Sequence, residues 1–247
     1  MTIWVETTEV KSYETDSFNR WKPSAFFQAM EEAATHHASS FGFSYDHMVE
    51  QKMIWILSRV RIQIDRYPRV SDRVSIQTWS RGVQQKLFFG RDFIFNNDAG
   101  QPLAMASSLW VLFNPETRRF VMPQALQAGF PSHADQSVFT APLDKIPIPE
   151  KQASYQTMVA GYSSVDMMGH VNNAAYIDWI CDCFQQALFK GDFIDQLQIN
   201  YLNEIMPGES TILAISQTDH LKDTWVVQGV NSATQVKAFE AQIHLGK

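Results

Sequence analysis

The sequence lacks several features that would place it in a common protein class. It has only two cysteines, Cys181 and Cys183; side chains two positions apart on a predicted helix do not face each other, so neither a disulfide framework nor a zinc site is expected. No run of about eighteen apolar residues occurs, so no membrane span is predicted. Segment 1–16 has neither the basic start nor the apolar middle of a secretory signal, which favours a cytoplasmic protein.

Motifs of the commonest enzyme classes are absent as well. There is no G-x-S-x-G elbow, no Walker loop and no glycine-rich dinucleotide motif, which excludes the usual serine hydrolase and nucleotide-binding patterns. His36 and His37 are adjacent on a predicted helix and point about 100° apart, so no metal site and no cofactor are predicted. The formal net charge of −6 speaks against nucleic-acid binding.

A repeated order of elements is present instead. Apolar spacing predicts helices over 23–41 and 173–189, and alternating residues predict four strands after each helix. A proline-rich connector separates the two sets, so the predicted parts are 1–122, the linker 123–150, and 151–247. RIQIDRYPRVSDRVSI and QINYLNEIMPGESTIL are corresponding segments. The repeat predicts an α+β fold with a helix beside a four-stranded antiparallel sheet in each half.

The stretch 164–176 carries the most chemical information. Asp166 and His170 stand four residues apart around Gly169, just before a helix start. Backbone N–H groups at such a start suit an oxyanion, and the two side chains can activate water or polarise a carbonyl. The spacing equally allows a capping loop, in which Asp166 is a turn acceptor and His170 a core histidine.

DMMGHVNNAAYIDW resembles the D-x-x-G-H-V-N-N-x-x-Y signature of hotdog thioesterases. WILSRVRIQIDRYPRVSDRVSIQTW, GRDFIF, ASSLWVLFNPETRRFVMP and INYLNEIMPGE are similar to segments of the plant and bacterial acyl-ACP thioesterases. The resemblance spans nearly the whole chain. It implies a tandem (double) hotdog fold, in which an antiparallel sheet wraps each long helix, with one active site at the junction of the halves. It also implies hydrolysis of acyl-ACP to a free fatty acid, which ends chain elongation.

The catalytic residues that the resemblance implies are Asp166, His170 and Glu204. The asparagine of the family, two positions before the histidine, falls on Met168, which cannot orient water. Asn172 or Asn173 is the candidate to replace it; alternatively, the aspartate acts as base or nucleophile, as in simpler hotdog thioesterases. We expect Asp166 and Glu204 to position and deprotonate water and His170 to bind or protonate. The plain alternative for Glu204 is an exposed corner acid.

Substrate contacts and partners complete the prediction. The loop backbone around Gly169, Val171, Asn172 and Asn173 is expected to hold the carbonyl, and Trp55 to line an acyl tunnel, unless it is ordinary core. The family's cysteine beside the strand acid is replaced by Ile205, so no thiol nucleophile is expected.

The expected partner is the acidic acyl carrier protein, with no nucleic acid, no membrane and a possible homodimer. Docking would use the arginine-rich strand region, which has the alternative of being a solvated sheet face; its arginines are Arg59, Arg61, Arg66, Arg69 and Arg73. An acyl-CoA hydrolase and a non-hydrolytic acyl-binding protein stay open as alternatives.

Overall fold

A computed structural model describes residues 3–126, 132–149, 154–218 and 221–247. The chain forms two compact units; the first is Met1–Trp21 with Gln28–Leu143, and the second is Lys22–Phe27 with Asp144–Lys247. The division into 1–122, 123–150 and 151–247 stays a prediction, and positions 127–131 and 150–153 lie outside the described residues.

The helices of the chain follow local start and stop chemistry. Helix α1 (Pro23–Ser40) begins with a proline, whose missing N–H costs nothing in a first helical turn, and it confirms the predicted helix over 23–41. The short α2 (Tyr45–Glu50) is capped by Ser44, whose hydroxyl accepts a hydrogen bond from a first-turn N–H. Among the helices in the described residues, none has the length and apolar character needed to cross a membrane.

The predicted helix over 173–189 is two helices, α3 (Asn173–Cys183) and α4 (Gln185–Leu188). Phe184 separates them, with φ −114° and ψ 16°, outside helical geometry. Its ring packs edge-on against Trp225, with centroids 5.7 Å apart. The prediction of a single continuous helix is therefore wrong. The apolar spacing continues across Phe184, but this residue is not helical and packs against Trp225.

The sheet of the first unit is antiparallel, in the order β1-β3-β4-β5-β2, with β6 paired to β5. Its strands are β1 (Trp4–Glu9), β2 (Ile54–Ile64), β3 (Arg73–Gln84), β4 (Phe88–Asn97), β5 (Pro102–Asn114) and β6 (Arg119–Val121). Helix α1 lies against this sheet, since the ring of His37 is 2.8 Å from the guanidinium of Arg91 on β4 and both side chains are buried.

The sheet of the second unit repeats this topology, in the order β8-β11-β10-β9-β7. Its strands are β7 (Ser154–Val159), β8 (Phe193–Tyr201), β9 (Ser210–Gln217), β10 (Thr224–Asn231) and β11 (Lys237–Gly246). Tyr176 of α3 packs edge-on against Phe239 of β11 at 5.2 Å and Tyr201 of β8 at 5.6 Å.

The prediction of four strands per half was therefore too low. The missed strands include β1 and β7, each of which precedes the long helix of its half. Neither contains a fully buried side chain, so neither has the apolar alternation that marks a half-buried strand.

The connector segment 132–143 is bound to the first unit. Val138 donates its N–H to the buried carboxylate of Asp92 (3.0 Å). Arg61 donates to the carbonyl of Ala141 (2.6 Å), and Arg59 donates to the carbonyl of Leu143 (2.7 Å). Two of the arginines expected to dock a partner therefore hold the chain's own connector.

Candidate active site

The loop before α3 is closed by its own backbone. Val165 and Val171 form an antiparallel bridge. Between them the N–H of Asp166 donates to the carbonyl of His170 (3.2 Å), and the N–H of Gly169 donates to the carbonyl of Asp166 (3.0 Å). Gly169 has φ +81°, a left-handed conformation that glycine adopts without a Cβ clash. The signature residues are thus presented on a tight, fixed turn.

The carboxylate of Asp166 is held by two hydrogen bonds. Oδ1 accepts from the N–H of Met168 (2.8 Å), and Oδ2 accepts from the side-chain amide of Asn172 (3.0 Å). Asn172 also caps α3, since its Oδ1 accepts from the N–H of Ala174 (2.9 Å). The structure therefore places the amide of Asn172 on the carboxylate of Asp166, while Met168 contributes its backbone.

His170 and Glu204 are brought together although they lie in separate loops. Nε2 of His170 is 3.8 Å from Oε1 of Glu204, with the side chains 23% and 59% exposed. Nδ1 of His170 is 3.2 Å from the carbonyl oxygen of Val171. Because a carbonyl only accepts, Nδ1 carries the proton, and the lone pair of the neutral ring is on Nε2, the nitrogen nearest Glu204.

The predicted oxyanion donors differ in availability. The N–H groups of Gly169, Val171 and Asn172 already donate to carbonyls of the second unit, to Asp166, Ile205 and Ser164 respectively. The N–H groups of His170 and Asn173 have no acceptor within the part of the chain that the structure describes. These two groups are the ones that can receive a substrate oxygen at the start of α3.

Trp55 belongs to the first unit. Its ring meets Phe89 edge-on at 4.9 Å, beside an apolar cluster that includes Met48 and Leu112. The cysteines are free, and burial raises the pKa of Cys183 to about 12, so its thiol is protonated near neutral pH. Within the described ranges, no group of three or more His, Cys, Asp and Glu side chains could hold a metal ion.

A second copy of the loop lies in the first unit, and sequence inspection missed it. Asp16 donates its N–H to the carbonyl of Arg20 (2.9 Å), and its Oδ1 accepts from the N–H of Phe18 (2.9 Å), as Asp166 does with its own loop. The position of His170 is filled by Arg20, whose Nε is 2.7 Å from Asp16 Oδ2. Only the aspartate is common to both loops, which is why the copy is inconspicuous in the sequence.

Comparisons with known proteins cover almost the whole chain. The family models described as acyl-ACP thioesterase N-terminal domain and acyl-ACP thioesterase C-terminal domain match residues 2–125 and 149–243. The oleoyl-acyl carrier protein thioesterase 1 of Arabidopsis thaliana is 29% identical over 217 residues, covering 79% of this chain and 58% of the relative. A dodecanoyl-[acyl-carrier-protein] hydrolase of Cinnamomum camphora is 26% identical, covering 82% of this chain. The chain spans little more than half the length of these relatives, 58% and 56%.

Two solved structures superpose on almost the full length of this chain. A crystal structure of an acyl-ACP thioesterase from Bacteroides thetaiotaomicron superposes with a TM-score of 0.81 at 25% identity, covering 99% of this chain and 98% of that one. A 12:0-ACP thioesterase from Umbellularia californica gives a TM-score of 0.83 at 20% identity, covering 99% of this chain and 97% of that one. These similarities confirm the α+β tandem hotdog fold.

Proposed function

Because the chain belongs to the acyl-ACP thioesterase family, we propose that it hydrolyses the thioester of an acyl-ACP and so ends fatty acid elongation. The observation that carries the proposal is the pairing of His170 with Glu204, 3.8 Å apart, at the mouth of α3. An acid, an imidazole and N–H groups near a helix start that have no acceptor among the described residues are the parts that acyl transfer to water requires.

The reaction follows from the geometry of these groups. The carbonyl oxygen of the thioester accepts hydrogen bonds from the N–H groups of His170 and Asn173. A water molecule beside Glu204 and Nε2 of His170 loses a proton to this pair as its oxygen attacks the carbonyl carbon. The C–S bond then breaks, and the same proton passes to the sulfur, which gives a fatty acid and a thiol. No cofactor enters this scheme.

Asp166 has a positioning role in this proposal. Both of its carboxylate oxygens accept hydrogen bonds from its own loop. Among the described residues, the acid that lies within 4.0 Å of a ring nitrogen of His170 is Glu204 and not Asp166. Asn172 connects Asp166 to the start of α3, where the backbone of Gly169 and Val171 supports the donors. Asn172 therefore donates a side-chain hydrogen bond to Asp166, which the methionine at position 168 cannot do.

The acyl chain and the carrier are further parts of the proposal. Trp55 contacts the acyl chain, so Trp55→Ala shifts the preferred chain length upward in a hydrolysis panel. The acidic carrier protein is the partner, and a cytoplasmic location accords with two free cysteines.

The decisive experiment compares two carriers. The full chain is incubated with acyl-ACP and acyl-CoA of the same acyl group, over a series of chain lengths, and released fatty acid is quantified. We expect a kcat/KM at least about tenfold higher for acyl-ACP. Faster turnover of acyl-CoA would favour the acyl-CoA hydrolase, and acyl-ACP that is bound but unhydrolysed would favour a binding protein.

A further inference from the structure

The hydroxyl of Tyr201 joins the end of β8 to the start of α3. Tyr201 is the last residue of β8, and its hydroxyl donates to the carbonyl of Asn173, the first residue of α3, over 3.0 Å. The ring of Tyr201 meets that of the buried Tyr176 edge-on, with centroids 5.6 Å apart. Because this packing restricts the ring, the hydroxyl has a defined place beside the first turn of α3.

The bond from Tyr201 is additional to those that form the helix. In an α-helix the carbonyl of a residue accepts from the N–H four positions further on, which for Asn173 is that of Ile177. A carbonyl oxygen has two lone pairs, so it can accept a second hydrogen bond from a side chain. The helix does not need the hydroxyl in order to form. What the hydroxyl adds is a fixed position of the first turn relative to β8.

The backbone beside Asn173 is held by the helix cap. The side chain of Asn172 accepts from the N–H of Ala174 (2.9 Å), and the carbonyl of Asn172 accepts from the N–H of Ala175 (3.0 Å). The N–H of Asn173 has no acceptor among the described residues. Asn173 is therefore held through its neighbours and through its own carbonyl, while its N–H is left for a substrate oxygen.

The corresponding place at the start of α1 lacks both groups. Ile64 ends β2 as Tyr201 ends β8, and each strand leads into a corner that is bonded to the loop before the helix. Pro23 begins α1 as Asn173 begins α3. Proline has no N–H and isoleucine has no hydroxyl. The hydroxyl is thus present in the half whose helix begins with an N–H donor, and absent in the half whose helix begins without one.

We propose that Tyr201 is a positioning residue for hydrolysis, which holds the N–H of Asn173 in line with the thioester oxygen. The inference rests on the proposed function, in which that N–H receives the carbonyl oxygen. The hydrogen bond strengthens as the oxygen gains negative charge, so a misaligned donor costs more in the transition state than in the bound substrate. Loss of the Tyr201 hydroxyl therefore lowers kcat and leaves KM nearly unchanged.

The test is a double-mutant cycle in the full chain with acyl-ACP as substrate. Tyr201→Phe keeps the ring and is expected to lower kcat about tenfold, the scale of one lost hydrogen bond, with KM changed less than about twofold. Asn173→Pro removes the N–H itself and is expected to lower kcat about 10²-fold, the scale of one oxyanion donor. In the Asn173→Pro background, Tyr201→Phe should cause less than about twofold further loss, because the group that it positions is gone.

Proline suits position 173, so this background is a clean one. Proline is favoured at the first position of a helix, and α1 begins with Pro23. Asn172 has φ −61° and ψ 142°, the extended conformation that a residue before proline adopts. A tenfold loss from Tyr201→Phe in both backgrounds, on the scale of one hydrogen bond, would overturn the inference, since a merely structural role is independent of the donor. Undiminished turnover in Asn173→Pro would overturn it too, because there would be no donor to position.

Asn173→Ala is the matched background. It removes the same side chain as Asn173→Pro but keeps the N–H, so Tyr201→Phe should still lower kcat about tenfold there. If this loss disappears with alanine as it does with proline, the hydroxyl acts through the side chain of Asn173 and the inference is wrong.

A variant with a weaker donor covers the case in which Tyr201→Phe does not fold. 4-Aminophenylalanine at position 201 keeps the ring and places an N–H donor where the hydroxyl was. A smaller loss of kcat is expected with asparagine at position 173, and none with proline there. Equal losses with asparagine and with proline would contradict the positioning role.

Failure of the inference and failure of the function are distinguishable. A wild-type chain that hydrolyses neither acyl-ACP nor acyl-CoA contradicts the proposed function. An active wild-type chain in which the effects of Tyr201→Phe and Asn173→Pro are additive contradicts the positioning role alone.

Discussion

Nε2 of His170 lies 3.8 Å from Oε1 of Glu204, and neither residue belongs to a helix or strand. His170 stands in the turn before α3, and Glu204 stands in the corner after β8. The two segments are tied by the hydrogen bond from the Val171 N–H to the Ile205 carbonyl. The candidate site is therefore formed by two irregular segments, which α3 and the sheet of the second unit hold next to each other.

Removing either member of this pair should abolish most turnover. His170→Ala is expected to lower kcat about 10²- to 10⁴-fold, the range for losing a general base, and Glu204→Gln somewhat less. The double variant should be little worse than His170→Ala, because the two groups act on one proton. Fatty acid release from acyl-ACP measures all three.

His244→Ala is the control for that series. His244 is also paired with an acid, its Nδ1 lying 2.6 Å from Asp195 Oδ1 between β11 and β8. Losing this pair should leave kcat unchanged. A loss of turnover in His244→Ala comparable to that in His170→Ala would contradict the assignment of the site.

Asp166→Asn tests the positioning role of the first signature acid. An amide cannot accept from both the Met168 N–H and the Asn172 amide, so one bond is lost and the melting temperature and kcat should both fall. Asp16→Asn is the matched variant, since Asp16 also accepts from the N–H two residues further on in its loop, and in addition from the N–H of Arg20. It should lower the free energy of unfolding by on the order of 1–2 kcal/mol, and so lower the melting temperature by a similar amount to Asp166→Asn. It should leave kcat unchanged. If Asp166→Asn lowers kcat more than Glu204→Gln does, Asp166 is the base.

The long periodic elements of this fold are predictable from the sequence, and several finer features are not. Helix α1 and strands β2 to β5 have enough apolar repeats to define a period. Strand β1 pairs on one side and has no fully buried face, so its sequence carries little signal. The helix break at Phe184 arises from a contact with Trp225, which local spacing does not contain.

The candidate site, too, is only partly predictable from the sequence. The family resemblance supplied Asp166, His170 and Glu204 as a set, but which of these side chains meet depends on how the chain folds. Asn172 binds Asp166, and His170 meets Glu204.

The stability of the first unit should depend on the ionisation of Asp92. Its side chain is fully buried, and it accepts hydrogen bonds from the Ser107 hydroxyl (2.6 Å) and the Val138 N–H (3.0 Å). Burial still raises the pKa of Asp92. Below the pKa of the unfolded chain, about 3.9, the group is neutral in both states. As the pH rises through the folded-state pKa, the unfolded state is favoured and stability is lost.

Asp92→Asn removes that titration and can keep both bonds, because a hydroxyl accepts from an amide N–H as well as donating. Urea unfolding between about pH 4 and pH 7 should show the variant gaining stability relative to wild type as the pH rises, by about 1.4 kcal/mol for each unit of pKa shift. A constant difference, or one of opposite sign, would contradict the raised pKa.

Docking of an acidic carrier should use the arginines that the connector does not occupy. Arg59 and Arg61 bind carbonyls of the segment 132–143, whereas Arg69 and Arg73 are exposed. Exposed charges act on association and are screened by salt. The Arg69→Ala and Arg73→Ala double variant should raise KM for acyl-ACP several-fold, leave kcat unchanged, and weaken the dependence of KM on ionic strength.

Arg61→Ala separates docking from connector binding. It removes the hydrogen bond to Ala141 and the contact of the guanidinium with the ring of Phe139, 4.1 Å from its centroid. The melting temperature should fall because the connector loses a contact, while the dependence of KM on ionic strength stays that of wild type. If Arg61→Ala flattens that dependence and the double variant at Arg69 and Arg73 does not, the carrier approaches through the connector face. If KM of the wild-type chain for acyl-ACP does not change with ionic strength, charge does not direct docking.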